Sequence, residues 1–124
     1  MTTREVVLRF AEACAAGDTE ALVRVLAVDV ELVVDSGGRV LAPLRPIRGW
    51  SASAERVIAL FAARPAAEVE LADVNGGTGL VVLRAGVTEA VISLAVDGPL
   101  VTAVWIVLNP DKLRHWNHRS PSHG

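Results

Sequence analysis

Asp35 opens the stretch Asp35-Ser36-Gly37-Gly38-Arg39 and is the side chain best suited to polar chemistry in this chain. Two roles are open to it. In one, its carboxylate faces a ligand from the mouth of an apolar cavity, beside Arg39 or Arg48, where burial raises its pKa and makes it a base. In the other, it closes a turn by accepting from the backbone amides of Gly37 or Gly38. The remaining reactive residue types fit no catalytic pattern. Cys14 lies in an apolar helical stripe, where a thiol behaves as a small hydrophobe. The serines at 36, 51, 53, 93, 120 and 122 include none in a G-x-S-x-G elbow. Gly76-Gly77-Thr78-Gly79 leads into a strand rather than a helix, so it is a hairpin turn and not a phosphate loop. His115, His118 and His123 have only Asp111 nearby, fewer ligands than a structural metal site needs, so no metal and no cofactor are assigned.

These residues need elements to position them. The chain has 124 residues, enough for one domain with a real core. It is 52% hydrophobic and 21% charged, which excludes disorder. No uncharged apolar run reaches the ~18 residues of a spanning helix. Met1-Thr2-Thr3-Arg4-Glu5 carries no apolar signal core, so a cytoplasmic protein is expected. One cysteine fits a reducing compartment. The net charge of -2 is not that of a nucleic-acid binder.

Thr2 and Glu5 form a capping box for a first helix. Val6, Val7, Phe10, Ala13 and Cys14 follow at helical spacing, and Gly17 ends the helix. Asp18 caps a short second helix over 19–26. Val28, Val30, Leu32 and Val34 then alternate with polar residues, which predicts a half-buried strand. A weaker strand is expected over 39–44. Gly49 and Ser51 open a third helix with the stripe Ala54, Val57, Ile58 and Phe61, and Pro65 stops it. Four strands follow, at 68–74, 79–85, 87–96 and 100–108. Their links are too short for parallel neighbours. The last two are nearly all apolar, so both their faces should be covered. Asn109 and Pro110 start a final turn. This order predicts an α+β fold: a cone-shaped, curved antiparallel or mixed sheet wrapped around three helices from the first half of the chain. Residues 1–116 form one domain in this reading, and 117–124 a loose tail.

The order of elements resembles the nuclear-transport-factor-two-like fold in its SnoaL-like branch, a cystatin-like α+β roll. Asp35-Ser36-Gly37-Gly38-Arg39, Arg45-Pro46-Ile47-Arg48-Gly49, Val74-Asn75-Gly76 and Asn109-Pro110-Asp111-Lys112-Leu113-Arg114-His115 are similar to stretches in the C-terminal extension of a subgroup of extracytoplasmic-function sigma factors. That extension carries an Asp-Gly-Gly-Gly-Lys turn and an Asn-Pro-Asp-Lys-Leu ending. The turn departs from the pattern at Ser36 and Arg39. The resemblance implies a regulatory role through contact with sigma-factor core domains or RNA polymerase. Those promoter-reading domains are not in this sequence, so direct DNA binding is not expected.

Other members of the fold are enzymes. Ketosteroid isomerase uses an Asp base and a Tyr donor, and this chain has no Tyr. Limonene epoxide hydrolase uses an Asp-Arg-Asp set. Asp35, Asp73, Asp97 and several Arg supply the residue types without a distinctive spacing. The expected function is therefore a non-catalytic regulatory or small-molecule-binding domain. The alternative is a small cofactor-free isomerase, polyketide cyclase or epoxide hydrolase acting on a hydrophobic ligand. A homodimer is a third expectation. The candidate pocket residues are Asp35, Arg39, Arg48, Trp50 and Trp105, and the pocket is expected to be mainly apolar. The candidate docking residues are Asn109, Asp111, Lys112, Leu113 and Trp116. Lys112 is the sole lysine among twelve basic residues, and nothing local requires it. Trp116 is either an exposed anchor or folded back beside Leu113.

Overall fold

The computed structural model describes residues 1–37, 45–110 and 112–114. Helix α1, Thr3–Ala16, starts at the anticipated capping box. The Thr2 hydroxyl accepts from the Glu5 amide at 3.1 Å, and the Glu5 carboxylate accepts from the Thr2 amide at 2.8 Å. It ends at Gly17, whose φ of 66° is left-handed. Asp18 then caps α2, Thr19–Val25, by accepting from the Ala21 amide at 3.0 Å. Helix α3, Trp50–Ala62, has Gly49 at its start and no side-chain cap. It buries Ser53, Ala54 and Val57, with Ile58 and Phe61 half-buried along the predicted stripe.

The strands are β1 (Leu26–Asp35), β2 (Ile47–Arg48), β3 (Glu68–Val74), β4 (Gly77–Arg84), β5 (Val87–Asp97) and β6 (Leu100–Val107). They form one mixed sheet in the order β2-β1-β6-β5-β4-β3. From β3 to β6 the chain is an antiparallel meander on two-residue turns. Asn75 and Gly76 in the first turn both have positive φ, 51° and 80°, which matches the right-handed strand twist. β1 and β6 run parallel, with Val33 beside Trp105 and Asp35 beside Val107. The long excursion between them makes parallel pairing possible.

The three helices pack on one face of this sheet. Phe10, Leu22, Leu32, Leu80, Ile92 and Ile106 are fully buried there. Three expectations need amendment. Val28 is 77% exposed, because the β1–β6 register shifts between Leu26 and Glu31 and the inward alternation begins only at Val30. β5 and β6 are not covered on both faces: Trp105, on the face away from the helices, is 45% exposed. β2 at Ile47–Arg48 was not anticipated, and the strand expected over 39–44 lies outside the described residues.

Candidate functional site

Among the described residues, the helix-covered face leaves almost no room. The gap between Leu60, Phe61, Val82, Ala90, Ile92, Ile106 and Leu108 is about 10 Å³, the space of roughly one water. The larger space is on the opposite face. There Val74, Val91, Val107 and Trp105 line a groove of about 470 Å³ with Asn75, Ser93 and Lys112. Strand alternation places these side chains together: Ser93 is registered with Trp105, and Val91 with Val107. After β6 the chain crosses to this outer face. Leu113 is buried there against Val74 and Val91, with Val107 beside them.

The crossing is fixed at the end of β1. The Leu108 amide donates to the Asp35 carbonyl at 2.7 Å, and the Leu113 amide to the Asn109 carbonyl at 2.9 Å, closing the final turn. The Asp35 side chain is buried and accepts from the Gly37 amide at 3.0 Å. Its other carboxylate oxygen accepts from the Lys112 ammonium. The Lys112 hydrogen bond holds the Asp35 carboxyl below its ordinary pKa; burial opposes this and the Gly37 amide reinforces it. Gly37 has φ 65°, and a Cβ there would overlap the Asn109 side chain, so the glycine turn and the ending are in direct contact.

Asp35 therefore closes its turn and also anchors the C-terminal segment. An ionised carboxylate held by an ammonium is a weak base at neutral pH. Of the described candidate pocket residues, only Trp105 lines the outer groove. Arg48 does not face Asp35. It pairs with Glu31 at 3.0 Å on the surface. Trp50 is 42% exposed at the start of α3 and lines neither space. Of the candidate docking residues, Asn109, Lys112 and Leu113 come together at the crossing. Arg39, Asp111, Trp116 and the three histidines lie outside the described residues. Among the described residues no group of three metal-ligating side chains occurs. Cys14 is buried, and burial pushes its thiol up to about 12, which leaves it unreactive at neutral pH. Ser93, Val91 and Val107 were missed as site residues. They lie in strands that read as nearly all apolar, so the face they share became visible only with the register.

This architecture recurs in solved structures. A protein from Cytophaga hutchinsonii described as NTF2-like (nuclear-transport-factor-two-like) is 15% identical, with a TM-score of 0.60 over 92% of this chain and 96% of that one. A second NTF2-like protein, from Burkholderia xenovorans, is 23% identical, with a TM-score of 0.52 over 90% and 92%. The fold is NTF2-like. The extracytoplasmic-function sigma factor SigJ of Mycobacterium tuberculosis is more similar in sequence, at 29% identity and a TM-score of 0.64 over 95% of this chain. The chain spans 44% of that sigma factor's length. The NTF2-like domain thus resembles a sigma-factor extension, as its turn and ending implied. No family model matches the sequence, and no curated protein does either.

Proposed function

We propose that this NTF2-like chain is a non-catalytic regulatory domain that acts by protein–protein contact, in the manner of a sigma-factor extension. The likeness to SigJ over 95% of the chain at 29% identity carries the reading. The geometry supports a location. Two of the stretches similar to such extensions, the glycine turn and the ending, meet at Asp35–Lys112 and Gly37–Asn109. They border a groove whose largest side chain, Trp105, stands 45% exposed. The filled interior supports a role carried by the surface rather than by an enclosed ligand. The partner is a pair of sigma-factor core domains.

The test uses Lys112→Ala and Trp105→Ala in the full chain, titrated calorimetrically against purified extracytoplasmic-function sigma-factor core domains. Loss of a central Trp or charged anchor weakens binding about tenfold or more. Trp105 stands at the surface, so Trp105→Ala should lower the melting temperature by about 5 °C or less. Lys112→Ala leaves the buried Asp35 carboxylate without its ammonium and should cost about 1–3 kcal/mol, so its affinity is compared per folded molecule well below its midpoint. Absence of binding by the parent chain, or unchanged affinity in both variants, overturns the proposal.

A further inference from the structure

We propose that a second cleft, between the end of α3 and the β4–β5 hairpin, binds a small amphiphilic carboxylate: one carboxylate on a short apolar body. The inference goes beyond the docking role, and its charged residues, Arg64, Arg84 and Glu89, are not among the docking residues. The cleft has a volume of about 450 Å³, within the range of small-molecule sites, roughly 300–1,000 Å³. Arg64, Arg84 and Glu89 form its polar side, and Val87, Leu108 and Leu113 its apolar side.

The polar side holds more positive than negative charge. Arg84 directs Nε and Nη2 onto one oxygen of Glu89, at 3.2 and 3.0 Å. Arg64 is fixed at the end of α3, where Nη1 donates to the Leu60 carbonyl at 2.9 Å. Its Nε lies 3.8 Å from the other Glu89 oxygen, too far for a hydrogen bond. One carboxylate thus faces two guanidinium groups, and only one of them is engaged closely. The loosely held edge of Arg64 is a planar two-donor fork, the geometry that grips a carboxylate. The side chains of Arg64 and Glu89 are only 23% and 25% exposed, so water screens this charge less than on an open surface. The apolar body of the ligand lies along Val87, which is 52% exposed, and Leu108. The gap on the helix side of Leu108 is too small to admit it.

The experiment titrates the full chain with octanoate, with octanol and inorganic phosphate as comparisons, followed by amide NMR shifts. Octanoate binds, and the other two bind at least about tenfold more weakly, since each lacks half of the recognition. Arg64→Met weakens octanoate about tenfold. Glu89→Gln strengthens it, by removing the carboxylate that competes for both arginines. Arg48→Met, on a separate surface pair, leaves it unchanged. No octanoate binding, equal binding of octanol, stronger binding of phosphate, or an unaffected Arg64→Met overturns the site. The docking assay uses other residues, so either reading can fail alone.

Discussion

Asp35 shows how one side chain joins two distant parts of the chain. Its carboxylate satisfies the Gly37 amide locally and the Lys112 ammonium 77 residues away. The ammonium side chain is 59% exposed, so the pair is partly screened. Asp35→Asn should cost about 1–2 kcal/mol at neutral pH, for one charge-assisted bond weakened and a turn altered. The pH dependence has a definite sign. The folded carboxyl has a lowered pKa, so the unfolded chain takes up the proton first. Stability from Asp35 is complete above about pH 4 and is lost as the pH falls through the lower folded value. Melting curves of the parent and Asp35→Asn should therefore converge on acidification below about pH 4. A gap that stays constant to pH 2 refutes the assignment.

Among the elements, the meander is held by close approaches as well as by turns. At Gly79 in β4 a Cβ would stand 2.5 Å from the Ile92 carbonyl oxygen and 2.7 Å from Val74 Cγ2. Backbone on one side and a buried valine on the other leave neither neighbour free to move. Gly79→Ala should cost about 1–3 kcal/mol, the usual penalty of overpacking, measured by urea unfolding. A neutral substitution would show that β4 and β5 slide apart easily at this end. The outer edge of the sheet is protected by charge. β3 presents exposed Glu68, Glu70 and Asp73, which discourages pairing with another strand. The opposite edge, β2, is two residues long.

At the scale of the molecule, a sheet that wraps its helices encloses a space, and side chains decide whether it becomes a cavity. Here Phe61, Ile92 and Ile106 close it. Ile106 is 1% exposed where the sheet meets the helices. Ile106→Ala should lower stability by about 2–5 kcal/mol, and the loss reports how rigidly the surrounding shell holds its shape. A cost below about 1 kcal/mol in chemical denaturation would mean that the shell collapses into the space, and that the core is looser than its burial indicates. Among the described residues no helix is long and apolar enough to cross a membrane.

The sequence by itself determined the elements and much of their order. The Thr2–Glu5 capping box, the Gly17 and Asp18 caps, the Asn75-Gly76 turn and the apolar stripes are local signals, because the interactions behind them span at most a few residues. The resemblance of the glycine turn and the Asn-Pro-Asp-Lys-Leu ending to sigma-factor extensions was also legible, since it rests on residue types in order. What stayed hidden is long-range. The register shift in β1 that exposes Val28, the parallel docking of β1 on β6 and the short β2 depend on partners far along the chain. Asp35 offered two roles from the sequence, and the tertiary fold chose the turn and added Lys112, which no spacing could have paired with it. The same holds for Arg64, Arg84 and Glu89. Arg84 and Glu89 flank one hairpin, but Arg64 arrives from the end of α3, and only packing of that helix on the sheet brings the three charges together.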